Sequence, residues 1–160
     1  TQRLASDMLH SKNIRNVLRN TLSAVDSLTT TTGNLQSAIL LSAVNGSIIS
    51  YVNGEERLPN YNSSVNNLRM MALLIKDKWS EDEEESSMDE DIRYVYNFEG
   101  ETTRIYTYEL EDLHTCVAQI PRSDLLLLLI GGSQYPHGLL VLKMKYTLQA
   151  FSQMHGYKLE

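Results

Sequence analysis

The chain has one cysteine, no apolar run longer than six residues, no excess of basic charge and no glycine-rich phosphate motif. Each shortage removes a class of protein. Cys116 alone cannot close an intramolecular disulfide, and no basic-then-apolar segment opens the chain, so a reducing, intracellular setting is expected. The sequons at Asn45 and Asn62 carry little weight there, because N-glycosylation requires the secretory route. A membrane-crossing helix needs roughly 20 apolar residues, whereas "SDLLLLLIGG" (123–132) is fenced by Asp124 and Gly131. The net charge of −6 denies the basic field that nucleic acids require. Eight acidic residues fall between Glu81 and Asp91, and without them twelve acidic side chains face fourteen basic ones, a near-neutral body. "IGGSQYPHG" (130–138) has glycines but neither the Gly-x-Gly-x-x-Gly nor the Walker spacing.

What the chain does have is a leucine run that never alternates with polar residues. A strand with one wet face alternates, so residues 125–130 predict a central strand covered on both faces. Around it, Ile14, Val17, Leu18, Leu22 and Val25 repeat at helical spacing from Met8 onward. Residues 35–44 and 47–52 read as a hairpin about a type I′ turn at Asn45-Gly46. Ser64 is positioned to cap a second helix running to about Trp79. An acidic, mobile loop is expected over about 80–101, with Ser86 and Ser87 at the spacing from Asp89 and Glu90 that acidophilic kinases use. Strands follow at 103–111, 113–120 and 125–130, joined at Glu111-Asp112 and Pro121-Arg122-Ser123, and a third helix covers 138–155. The expectation is one domain over 8–160, with residues 1–7 outside it. Its class is α/β (α+β): three layers, ordered helix, two strands, helix, three strands, helix, with a five-stranded antiparallel sheet covered by helices on both faces.

The second helix is apolar nearly all the way round. Val65, Leu68, Ala72, Ile75 and Trp79 suffice to cover a sheet, which leaves Met70, Met71, Leu73 and Leu74 for something else. The strand "RIYTYELE" (104–111) reads as an edge with no proline or bulge glycine, Tyr106 and Tyr108 on one face and Ile105 and Thr107 on the other. A partner subunit covering both is the favoured expectation, with Met70, Met71, Leu74, Lys78, Ile105, Tyr106, Thr107 and Tyr108 as its contact residues; shielding by the acidic segment is the alternative.

The order of elements resembles that of roadblock/longin-type domains. The strings "MLHSKN", "SVNNLRMMALLIKDKWSEDE", "IYTYELEDLHTCVAQIP", "SDLLLLLI", "GLLVLK" and "GYKL" resemble the small roadblock subunits of fungal EGO complexes, counterparts of the animal Ragulator, from Met8 to Glu160. That resemblance implies a non-catalytic scaffold that dimerises through the second helix and third strand, as a homodimer or with another roadblock-type subunit. It further implies a lipid-anchored subunit wrapping the pair, a Rag-family GTPase heterodimer as cargo, and a place on the cytoplasmic face of the vacuolar membrane in amino-acid signalling to the TOR kinase complex. Membrane attachment would come only through partners, since no lipidation signal is seen after Met8 or at the end of the chain. An adaptor in dynein or vesicle traffic is the second reading.

A thiol enzyme is the third. His114 and Cys116 lie two apart on one strand, hence on one face, which suggests a nucleophile with its base or half a metal site. Two ligands do not make a zinc site, and His10, His137 and His155 stand in other elements without ligand spacing. The acids of "YELEDLH" suit a turn better than a carboxylate dyad. No catalytic residue, cofactor or metal is expected.

Overall fold

The computed structural model describes residues 11–22, 34–55, 58–86 and 94–159. The segment 1–7, the first residues of the expected first helix, most of the loop after it, and Ser87 lie outside the described residues. The order is α1 (Ser11–Leu22), β1 (Ser37–Ser42), β2 (Ile48–Asn53), α2 (Val65–Ser86), β3 (Val95–Phe98), β4 (Glu101–Leu110), β5 (Leu113–Gln119), β6 (Leu125–Gly132) and α3 (His137–Ala150), with a 3-10 turn at Ser152–Met154. The strands form one antiparallel sheet in the order β2-β1-β6-β5-β4-β3.

The leucine run is β6, an interior strand flanked by β1 and β5. Its side chains divide by parity. Leu125, Leu127 and Leu129 join Ala38, Leu40, Cys116 and Ala118 beneath α1 and α3, which contribute Ile14, Leu18, Leu140, Met144 and Leu148. Leu126, Leu128 and Ile130 join Ile39, Leu41 and Val117 beneath α2, which contributes Leu68, Ala72, Ile75 and Trp79. Both faces of the central strands are therefore dry, as the lack of alternation predicts, and each buried leucine contributes about 1.5 to 3 kcal/mol.

The sheet has six strands rather than five. The extra strand, β3, lies in the expected acidic loop and pairs with β4 from Val95↔Arg104 to Phe98↔Glu101. Its turn, Glu99-Gly100, holds positive φ at both residues (51° and 80°), the type I′ requirement. The described start of the expected loop is also regular. Through Ser86 it is helix, because glutamates are good helix formers and two of these carboxylates find partners on β4.

The first hairpin is broader than expected. Among its turn residues only Gly46 has positive φ (77°), so Asn45-Gly46 is not type I′, and residues 43–47 connect β1 to β2. The third helix stops at Ala150 instead of residue 155. The Glu111 turn, with φ 56° and Leu110 paired to Leu113, stands where expected.

Candidate subunit interface

Ser64 caps α2 by accepting the Asn67 amide at 3.3 Å. From that start the helix lays Leu68, Met71, Ala72, Ile75 and Trp79 on the sheet. Met71, expected on the partner face, is thus a core residue. It lies three residues after Leu68 and four before Ile75, which is one helical stripe. Met70, Leu73 and Leu74 do remain outside, exposed to 56%, 47% and 48%. Leu73 leans on the β1–β2 turn, where a Cβ added at Gly46 would lie 2.9 Å from Leu73 Cδ2. Met70 and Leu74 face the β4 side, where a cleft of about 450 Å³ opens between them and Leu58, Tyr61, Leu110 and Leu113. Lys78 continues their stripe, its Nζ 5.2 Å from the Tyr108 ring centre.

Strand β4 is half covered. β3 pairs with its first four residues, and the Ile105 amide donates to the Tyr94 carbonyl at 3.0 Å. Beyond Ile105, no strand among the described residues pairs with its outer side. Backbone groups on a strand alternate in direction, so those of Thr107 and Glu109 point outward as Ile105's do. An open length of edge therefore runs beside the exposed Met70, Leu74 and Lys78.

The tyrosines expected to meet a partner instead hold α2 down. Tyr106 donates to the Glu83 carboxylate, Tyr108 donates to Asp82 at 2.6 Å, and the two rings lie parallel with centres 6.3 Å apart. Arg104 adds an ion pair to Glu83 at 3.4 Å. Burial, followed by the Asp82 carboxylate, pushes the Tyr108 phenol far above its ordinary pKa, so the hydroxyl stays a donor. Ile105 is 3% exposed and belongs to the core under α3, because it points to the opposite face from the tyrosines. Of the eight expected contact residues, Met70, Leu74 and Lys78 thus lie exposed on α2, Thr107 lies on the outer strand with its side chain on the Ile105 face, Tyr106 and Tyr108 lie half-buried on the α2 face, and Met71 and Ile105 lie within the domain. Asp82 and Glu83 were hidden in an acidic run that reads as solvent-facing.

The thiol reading loses its chemistry. Cys116 is fully buried in an apolar cluster, and that burial pushes its pKa far up, leaving no thiolate at neutral pH. His114 Nδ1 engages the Tyr135 carbonyl at 2.7 Å. The carboxylates of Glu111 and Asp112 are exposed at a turn, and that of Glu109 is exposed near the end of β4. The histidine without ligand spacing, His137, is nevertheless folded against His114, with ring centres 4.1 Å apart and Glu109 close to both. No described helix is long and apolar enough to cross a membrane.

The family model for protein SLM4 matches residues 8–159. Protein SLM4 of Saccharomyces cerevisiae (strain ATCC 204508 / S288c) is 48% identical over 159 residues, covering 95% of this chain and 98% of the relative. The chain belongs to the SLM4 family. Among solved structures, the gliding protein MglB of Thermus thermophilus is similar with TM-score 0.63 at 15% identity, over 90% of this chain and 89% of that one. A roadblock/LC7 domain from Streptomyces avermitilis gives TM-score 0.58 at 17% identity, over 84% and 91%. MglB in a tetrameric arrangement gives 0.61 at 15%, over 90% and 88%. At these identities the likeness establishes the fold. This SLM4-family chain has a roadblock/LC7 fold, α+β with an antiparallel sheet between helices.

Proposed function

We propose that this chain is a non-catalytic scaffold subunit that pairs with a second roadblock-type subunit across α2 and β4, and that the assembly holds a Rag-family GTPase heterodimer at the vacuolar membrane for amino-acid signalling to the TOR kinase complex. The observation that carries the pairing is the juxtaposition of exposed Met70, Leu74 and Lys78 with the outward-facing backbone of Thr107 and Glu109. Apolar side chains beside unpaired strand groups are an arrangement that another chain satisfies with both hydrophobic contact and sheet hydrogen bonds. The GTPase cargo, the lipid-anchored wrapping subunit and the vacuole rest on the resemblance to EGO-complex roadblock subunits, supported by 48% identity to a yeast SLM4 protein.

The test changes Met70→Asp together with Leu74→Asp. Two unpaired carboxylates in an apolar contact cost several kcal/mol, enough to split a micromolar dimer. Both side chains are about half exposed in the single subunit, so circular dichroism should keep its mixed helix and strand signature while light scattering reports a monomer. In cells, the variant should lose its vacuolar position and Rag-family GTPases together. A variant that stays dimeric overturns the interface. Recovery of dynein chains or coat proteins in place of Rag GTPases, by affinity purification and mass spectrometry of the unmodified chain, overturns the scaffold reading.

A further inference from the structure

On the face opposite α2, three side chains from three elements converge. Glu109 and His114 are directly paired across β4 and β5, and His137 is the first residue of α3. One ligand atom from each can be chosen so that all three lie within 4.8 Å of one another. His114 Nε2 stands 3.7 Å and His137 Nε2 3.9 Å from the same oxygen, Glu109 Oε1. Those separations are too long for hydrogen bonds. Bonds of about 2.0 to 2.1 Å to a shared tetrahedral ion set neighbouring ligand atoms about 3.4 Å apart, so each histidine–glutamate separation needs to close by only a few tenths of an ångström.

We propose that Glu109, His114 and His137 bind a divalent transition cation of the zinc class, clipping the β4–β5 hairpin to the start of α3. Two further features favour a ligand here over a bare cluster. The His114 ring is oriented by Nδ1 on the Tyr135 carbonyl at 2.7 Å, the outer-sphere hydrogen bond that fixes a histidine with its Nε2 lone pair free for metal. The His137 ring makes no hydrogen bond among the described residues, and its Nδ1 is buried without a partner. A half-buried imidazole left this way is uncommon, and ligation supplies one of its missing partners. Two imidazoles and a carboxylate suit zinc, and Glu109, 73% exposed, leaves a fourth position open on the solvent side for water.

The experiment titrates the full, tag-free chain, stripped with a chelator, with Zn²⁺ alone by calorimetry, and follows Co²⁺ by its visible absorption. The expected result is one ion per chain, low-coordinate Co²⁺ bands and a melting temperature that rises with Zn²⁺ concentration. Glu109→Gln and His137→Gln should each weaken binding by about tenfold or more and remove the Co²⁺ bands, while His10→Gln and His155→Gln leave both unchanged. Glu109→Gln changes only an exposed side chain, so the fold survives it. Absence of binding by the unmodified chain, or binding that persists in Glu109→Gln and His137→Gln, overturns the site.

Discussion

Lys143 is the one lysine of α3 that points inward: 3% exposed, it donates from Nζ to the Thr21 carbonyl at 2.6 Å, in the last turn of α1. Among the described residues that carbonyl has no partner within its own helix, so the cation serves as a cap from a distant element. Burial lowers the lysine pKa to about 8. The unfolded chain, with its lysine near 10.4, therefore binds more protons than the folded one between those values, and stability rises with pH across that window. Below about pH 8 both states carry the charge, and the folded state bears the full desolvation cost. Urea unfolding at about pH 7 and about pH 10 should show the wild type gaining on the order of 1 to 3 kcal/mol relative to Lys143→Met. Equal slopes for the two proteins would sink this account. Cys116 makes a second residue-scale case. Cys116→Ser should cost about 1 to 3 kcal/mol through a hydroxyl buried among apolar groups, yet leave partner binding intact in pull-downs; a folded variant that loses function would restore the thiol chemistry.

At the scale of elements, α2 is held by two different kinds of contact. Its first four turns rest on apolar side chains, and its last two rest on Tyr106, Tyr108 and Arg104 reaching Glu83 and Asp82. Tyr108→Phe should cost about 1 kcal/mol, and hydrogen exchange should quicken over residues 79–86 while the leucine strand stays protected. Uniform acceleration would mean the clamp is integral to the core. This division also explains which parts were legible in the sequence. The leucine run, the Ser64 cap and the Glu111 turn carry local signals that tertiary structure respects. The helix end and β3 are not legible locally, because dense charge reads as solvation, whereas phenol and guanidinium partners twenty or more residues away receive Asp82 and Glu83. Gly100 was the missed clue to β3, since a polar residue before glycine between two aromatic-rich strands is a hairpin signal. Met71 was ambiguous because a helix apolar on every side does not reveal which stripe meets the sheet. His137 and His114 are brought together only by the docking of α3, which no spacing rule describes.

For the whole molecule, β6 fills both cores along its entire apolar length, as its neighbour β1 does over the shorter stretch from Ala38 to Leu41. Leu127→Ala and Leu128→Ala empty opposite sides of the sheet, and each should lower stability by about 2 to 5 kcal/mol. Chemical denaturation should nevertheless remain a single transition for both, because the shared strand ties the two layers together; separate transitions would show the layers to be independent. The same uniformity raises a problem of alignment. In an ordinary strand, sliding by one residue exchanges apolar and polar faces and is forbidden by that exchange. Here a slide would replace leucine by leucine, so the six apolar positions say nothing about which one belongs opposite Cys116. The answer is written at the two ends. Sliding one way brings Asp124, whose carboxylate now accepts the Leu159 amide at 3.0 Å, into the fully buried place of Leu125. The same slide brings the branched side chain of Ile130 into the place of Gly131, where even a Cβ would lie 3.0 Å from that of Tyr135, while sliding the other way leaves Gly131 in the fully buried place of Ile130 with no side chain to fill it. The leucine word thus has no spelling of its own, and the aspartate and glycine that bracket it act as its punctuation.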